Sequence, residues 1–208
     1  MVLEIIVWVD CCFIIMQLDI KEQSLILEGK KYSRKELMSL SANATGDNTS
    51  SFLLDLYRFL ADWFSDSPFM TVHTSGSTGT PKVLTVRKEQ MMQSARMTCE
   101  FLNLHTGDTA LLCMPLQYIA GKMMVVRALV AGLNLILRTP SGHPLADVTV
   151  PLRFVAMVPL QVFNTLQVLR EKERLCHTDI LIIGGGAIDA ALENEIRLLP
   201  GEIYSTYG

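Results

Sequence analysis

Short apolar stretches alternate with amphipathic ones along most of this 208-residue chain, and this alternation limits its possible folds more than any other feature. Ile180–Ile183, for example, is apolar at every position, which is typical of a strand buried on both faces of a sheet. Segments with helical periodicity, such as the one from Leu53 to Phe64, lie between such strands. The order predicts βαβ units, and therefore an α/β fold of mostly parallel sheets flanked by helices.

Turn residues and periodicity give approximate limits for the elements. Strands are predicted at 25–27, 69–73, 83–86, 110–114, 133–137, 154–158, 180–183 and 202–205. Helices are predicted at 53–64, 89–102, 122–130, 160–170 and 189–199. Another helix is expected to begin after Ser33, because Ser33 and Glu36 have the spacing of a capping box.

Composition excludes several classes of protein. Half of the residues are hydrophobic and the net charge is −3, which excludes intrinsic disorder and argues against a nucleic-acid binder. The five cysteines form no C-x-x-C pair, and no secretory signal is evident, so a cytoplasmic protein with reduced thiols is expected. The longest apolar stretch, Met123–Leu137, is interrupted by Arg127 and Asn134, so no membrane span is predicted.

The strongest functional signal is the nonapeptide Thr74–Lys82, with the sequence TSGSTGTPK. Its glycines allow the backbone to present N–H groups to an anion, its hydroxyls donate to phosphate oxygens, and Lys82 adds a positive charge. It is not a Walker A loop, because Pro81 and Val83 stand where that motif has a glycine and a hydroxyl residue. A flexible hairpin loop is the alternative that composition alone favours.

Weaker signals follow other predicted strands. The segments are Met114–Lys122 (MPLQYIAGK), Met157–Gln161 (MVPLQ), Ile183–Ala187 (IGGGA) and Ile203–Gly208 (IYSTYG). Taken alone, each is compatible with an ordinary turn, helix start or core strand. Ligands bind beyond the carboxyl ends of parallel strands, so the nonapeptide and the segments at 115–122, 184–187 and 205–208 are predicted to form one site.

The nonapeptide resembles the phosphate-binding signature of the adenylate-forming (AMP-binding) superfamily, which includes the acyl-CoA synthetases. IGGGA resembles that family's adenine-pocket segment, IYSTYG the start of its Tyr-Gly-x-Thr-Glu motif, and MPLQYIAGK one wall of its carboxylate pocket. Tyr118 stands where many members have histidine. MVPLQ resembles a Val-Pro-Thr-Gln stretch of the family. The chain is therefore identified as a member, with the fold expected of the N-terminal part of the family's large domain.

The resemblance also implies roles for individual residues. Lys82 and Thr78 would act on the phosphates during catalysis, and Tyr207 would stack on adenine. The acid would lie against Tyr118, Gly121 and Lys122, with the Lys122 ammonium holding a second carboxylate. The residues implied to bind the nucleotide are Thr74, Ser75, Gly76, Ser77, Thr78, Gly79, Lys82, Gly184, Gly185, Gly186, Ala187, Ser205, Thr206, Tyr207 and Gly208. No metal ligand is predicted in the chain, because the family's magnesium-binding glutamate follows the Tyr-Gly pair.

The implied activity is that of an acid–thiol ligase. A small-molecule carboxylate attacks ATP to give an acyl-adenylate, and CoA then displaces AMP, so ATP, Mg²⁺ and CoA are the implied cofactors and co-substrates. Three features resemble the o-succinylbenzoate–CoA ligases of menaquinone biosynthesis, whose substrate has two carboxylates. They are the short leader before Thr74, the strand near Ile26 followed by YSRKEL (32–37), and Lys122.

Residues 1–208 are expected to be a truncated N-terminal domain without the family's C-terminal lid, because the Tyr-Gly pair begins a longer motif. Such a chain alone is expected to bind part of ATP and to catalyse little. The oligomeric state stays open, with a homodimer as one form. Two other functions also stay open: a non-catalytic nucleotide-binding module, and an adenylation enzyme for another aryl, acyl or amino acid.

Overall fold

The structure is a computed structural model that describes residues 19–44, 50–73 and 83–206. Its strands are β1 (Ser24–Leu27), β2 (Lys30–Ser33), β3 (Phe69–His73), β4 (Val83–Arg87), β5 (Thr109–Leu112), β6 (Asn134–Leu137), β7 (Phe154–Met157), β8 (Ile180–Ile183) and β9 (Glu202–Ser205). Its helices are α1 (Arg34–Asn43), α2 (Ser51–Phe64), α3 (Lys88–Phe101), α4 (Ile119–Ala131), α5 (Pro159–Gln167), α6 (Leu169–Cys176) and α7 (Ala190–Ile196), after a short 3₁₀ helix at Ile20–Glu22.

Seven strands form one sheet in the order β2-β1-β6-β5-β7-β8-β9. β2 returns antiparallel to β1, and the other neighbouring pairs, from β1–β6 to β8–β9, are parallel. All four residues of β7 and all four of β8 are buried. The predicted α/β fold with a mostly parallel sheet flanked by helices is confirmed.

Helices cover both faces of this sheet, and successive residues of each strand contribute to opposite faces. Ala110 and Leu112 of β5 pack with helices α1–α4, whereas Leu111 packs on the other face with α5, α6 and α7. From β5 the chain crosses through α4 to β6, toward the edge of the sheet that β2 forms. From β7 to β9 it crosses through α5, α6 and α7 and moves the other way. The direction therefore reverses between β5 and β7, which is the topological switch point of the sheet.

Strands β3 and β4 form a separate antiparallel hairpin, with Phe69 opposite Arg87 and His73 opposite Val83. The sequence predicts both strands correctly, but they do not join the parallel sheet. A single β-bridge between His73 and Tyr118 connects the end of β3 to the segment that follows β5.

Local signals fix some boundaries and miss others. The Ser33 capping box is present, since the Ser33 N–H donates to Glu36 Oε2 over 2.8 Å and Ser33 Oγ accepts from the Glu36 N–H over 3.4 Å. The single helix predicted at 160–170 is wrong, because Val168 is extended (φ −113°, ψ 113°) and separates α5 from α6. This break rotates α6 so that Glu171 and Leu175 become buried.

Across the three described ranges, no helix has the length and apolar character needed to cross a bilayer.

Candidate functional site

Four predicted segments follow strands whose carboxyl ends lie at one edge of the sheet. β5, β7, β8 and β9 are consecutive parallel neighbours, so the residues after each of them emerge on the same side. The structure thus brings together the segments at 113–122, 158–161, 184–187 and 206. The crevice between the first two lies at the topological switch point, where open α/β sheets bind ligands.

The glycine segment after β8 begins at a position, Gly184, that leaves no room for a side chain. The Gly184 N–H donates to the Met157 carbonyl over 3.1 Å, and a Cβ on Gly184 would lie 2.5 Å from Thr206 Oγ1. Gly185 has a φ of 79°, a conformation that favours glycine. Gly185, Gly186 and Ala187 are exposed, so their backbone groups are accessible to a ligand.

The residues after β9 pack directly against this segment. The Thr206 N–H donates to the Ile183 carbonyl over 2.8 Å, which extends the β8–β9 pairing by one residue. Ser205 and Thr206 are both half-buried. The predicted nucleotide residues Gly184–Ala187, Ser205 and Thr206 are therefore neighbours.

The segment after β5 turns tightly into α4, and Gly121 makes this turn possible. A Cβ on Gly121 would overlap the Pro115 carbonyl oxygen and lie 2.9 Å from the Met114 carbonyl oxygen. Both are backbone atoms that cannot rotate away, so only glycine fits there. Tyr118, one turn earlier, is half-buried and pairs with His73 through the β-bridge.

Lys122 is half-buried, and its ammonium group donates a hydrogen bond to the Thr71 carbonyl in β3. Burial lowers the pKa of Lys122 from its ordinary value, and the negative charge of Asp62 partly opposes that shift. A lysine ammonium has three N–H donors, so this bond leaves two for other partners. The side chain therefore links the start of α4 to the hairpin.

Gln161 is a site residue that its sequence position does not reveal, since MVPLQ alone is compatible with an ordinary helix start. Its side chain is buried and makes three hydrogen bonds. Gln161 Oε1 accepts from the Val158 N–H over 3.1 Å, while Nε2 donates to the Cys113 carbonyl over 3.1 Å and to the Ser141 carbonyl over 2.9 Å. The one signal in the sequence that points to Gln161 is the resemblance of MVPLQ to a family stretch.

Several predicted site residues lie outside the described ranges. They are the nonapeptide at 74–82, including Thr78 and Lys82, together with Tyr207 and Gly208. Strands β3 and β4 end and begin on either side of the nonapeptide. Within the described ranges, no three His, Cys, Asp or Glu side chains are grouped so as to hold a metal ion.

Comparison with known proteins identifies the family. The profile of the AMP-binding enzyme family matches residues 9–208 of the chain. The chain belongs to the AMP-binding enzyme family. This confirms the membership predicted from the nonapeptide and the four weaker motifs.

Individual relatives agree with this membership. The 2-succinylbenzoate–CoA ligase of Haemophilus influenzae is 28% identical over 156 residues, which are 74% of this chain and 33% of that protein. An acyl-CoA synthetase (AMP-forming)/AMP-acid ligase II-like protein from Dyadobacter fermentans is 33% identical, with a TM-score of 0.71 over 82% of this chain and 49% of that one. The chain therefore spans about a third of the length of its curated relative and about half of this structural one.

A more distant structure shares the fold. The o-succinylbenzoate CoA synthetase from Bacillus subtilis, solved with the acyl-adenylate intermediate OSB-AMP, is 15% identical. Its TM-score is 0.64 over 92% of this chain and 57% of that one. The fold of this AMP-binding chain is thus that of the N-terminal region of such enzymes.

Proposed function

We propose that this AMP-binding protein is an acid–CoA ligase that activates o-succinylbenzoate, or an acid of the same dicarboxylate class, with ATP. The observation that carries the proposal is the meeting of the segment at 113–122 with the glycine segment at 184–187 at one edge of the sheet, across the switch point. A curated relative named for 2-succinylbenzoate supports the substrate, as does the cationic Lys122 beside the predicted acid pocket.

In the proposed reaction, a carboxylate oxygen of the acid attacks the α-phosphorus of ATP. An acyl–oxygen–phosphorus link forms, the bond to the β-phosphate oxygen breaks, and pyrophosphate leaves. The CoA thiol then attacks the acyl carbon, the thiol proton is lost, and AMP leaves with the pair of electrons from the broken carbon–oxygen bond. Both steps depend on in-line positioning and on neutralising phosphate charge.

We assign the nucleotide side to the backbone of Gly184–Ala187, to Ser205 and Thr206, and to Tyr207, whose ring would stack on adenine. The acid side consists of Tyr118, Gly121 and Lys122. Lys82 and the hydroxyl-rich nonapeptide around Thr78 would hold the phosphates. Magnesium would supply further charge neutralisation, but none of the described residues is given that role.

Pyrophosphate release by the full-length protein tests the proposal. We expect ATP-dependent release with o-succinylbenzoate to exceed release with an aromatic monocarboxylate and with a fatty acid. Lys82→Ala should abolish it, whereas Lys35→Ala, at an exposed site on α1, should not. Absence of release with every acid would contradict the proposed ligase activity.

Calorimetric titration with ATP separates the remaining alternatives. Binding of ATP without turnover would favour a non-catalytic nucleotide-binding module. Formation of hydroxamates with amino acids but not with o-succinylbenzoate would indicate an adenylation enzyme for amino acids. Neither result would alter the family membership.

A further inference from the structure

We propose that Gln161 is a positioning residue that holds the acid side and the nucleotide side of the site in register. This inference rests on the proposed function, which assigns the acid to one side and the nucleotide to the other. The hydrogen bonds that support it do not depend on the reaction. Gln161 lies on the first turn of α5, directly beyond β7, and therefore stands at the switch point between the two sides.

The amide of Gln161 joins three backbone segments that are distant in sequence. Its oxygen accepts from Val158 after β7, and its nitrogen donates to Cys113 after β5 and to Ser141 after β6. The amide oxygen accepts one hydrogen bond and both amide N–H groups donate. A charged or an apolar side chain of the same length does not combine an acceptor with two donors. Because the side chain is only 6% exposed, water cannot readily replace these bonds.

The contact with Val158 extends to the nucleotide side. A Cβ on Gly185 would lie 3.4 Å from Val158 Cγ1, and one on Gly186 would lie 3.5 Å from the Pro159 ring. The exposed glycine segment thus contacts Val158 and Pro159, the first two residues after β7. Moving Val158 would move the surface against which Gly185 and Gly186 pack.

The contact with Cys113 extends to the acid side. Cys113 follows β5 and precedes the Pro115 carbonyl on which Gly121 packs. A second link, from Cys113 Sγ to the Ala156 carbonyl at 3.6 Å, joins the same two strand ends. Gln161 thereby fixes the distance between the start of the acid segment and the support of the glycine segment.

Hydrogen–deuterium exchange of the unliganded protein tests this link without relying on activity. Gln161→Met keeps the approximate side-chain volume and removes all three bonds. We expect at least tenfold faster exchange in peptides covering both 113–122 and 183–188. Gln167→Met is the matched control, since Gln167 is exposed on the same helix, and should change neither peptide. Faster exchange confined to 158–162 would overturn the proposal.

Steady-state adenylation by the full-length protein supplies the second arm. Gln161→Met should lower kcat by about 100-fold, the effect of a misplacement of about 1 Å, while KM for ATP and for the acid changes less than about threefold. A merely destabilising substitution would instead leave kcat per folded molecule unchanged, which would overturn the positioning role.

Gln161→Glu gives a pH signature that a general loss of stability would not reproduce when activity is normalised to folded protein. The carboxylate can accept from Val158 but would face two carbonyl oxygens, whereas its protonated form can donate to one of them. We expect kcat relative to wild type to rise several-fold from about pH 8 to about pH 6, because burial raises the pKa of a carboxyl group. A flat ratio would contradict the donor role of the amide.

If wild type itself forms no adenylate, the proposed function fails, and the exchange experiment alone decides the role of Gln161.

Discussion

Two adjacent residues at the start of α4 serve the site in different ways. Gly121 contributes only the absence of a side chain, which lets the helix approach the Met114 and Pro115 carbonyls. Lys122 contributes an ammonium group that bonds to the Thr71 carbonyl and so connects the helix to the hairpin beside it. The two remaining N–H donors of Lys122 are what a second substrate carboxylate would require.

The substrate role of Lys122 gives a prediction at this scale. Lys122→Ala should raise KM for a dicarboxylate acid by about 5- to 150-fold, equivalent to about 1–3 kcal/mol for a lost charge-assisted hydrogen bond. KM for the matching monocarboxylate should change little, and initial-rate measurements with both acids provide the comparison. An equal rise for both acids and for ATP would assign the lysine to support of the hairpin, and an unchanged KM would remove it from the acid pocket.

At the scale of elements, the connection between β6 and β7 is held along α5 and α6 by a row of side chains. Gln161 binds the Ser141 carbonyl, the His143 ring lies 2.9 Å from Glu171, and Arg174 Nη1 donates to the Leu145 carbonyl over 2.6 Å. The connection has no regular structure of its own, so these contacts replace the hydrogen bonds that a helix or strand would provide.

Removing the last of these contacts should loosen the connection selectively. Arg174→Met keeps the aliphatic stem and leaves the Leu145 and Ala146 carbonyls without their donor. We expect proteinase K to cleave within 139–151 several-fold faster, with a loss of about 1–3 kcal/mol in the free energy of unfolding. Arg170→Met, at an exposed position of the same helix, is the control. Equal cleavage rates for the two variants would contradict a holding role for Arg174.

The elements themselves could be predicted wherever the information is local. Continuous apolar runs identify β7 and β8, and the capping spacing identifies the start of α1 at Ser33. Two of the three partners of Gln161 could not be predicted, because they lie 48 and 20 residues away, and a glutamine on a helix is ordinarily exposed. The partner of Lys122 lies 51 residues before it. Such contacts depend on the order of the strands, which periodicity does not specify.

Over the whole molecule, the two faces of the sheet each bury a thiol. Cys99 of α3 packs on one face and Cys113, which follows β5, on the other. Burial raises the pKa of Cys99 to about 11 and that of Cys113 to about 12, both above the ordinary value of 9.0. The folded protein therefore keeps protons that the unfolded chain releases at alkaline pH.

This difference predicts how stability depends on pH. Below about pH 9 both states hold the thiol protons, and the stabilisation is fully present; it is lost as pH rises toward 11 and 12, because only the unfolded chain ionises. Each thiol should contribute a slope of up to about 1.4 kcal/mol per pH unit to the free energy of unfolding in this window.

Urea unfolding of wild type and of the double variant Cys99→Ala/Cys113→Ala, from about pH 8 to pH 10.5, measures this slope. The double variant should be less stable at pH 8 because of its cavities but should lose less stability as pH rises, while Cys176→Ala, at a partly exposed site, should follow wild type. Parallel curves for wild type and the double variant would mean that the buried thiols ionise in the folded protein, and hence that the core around β5 admits water.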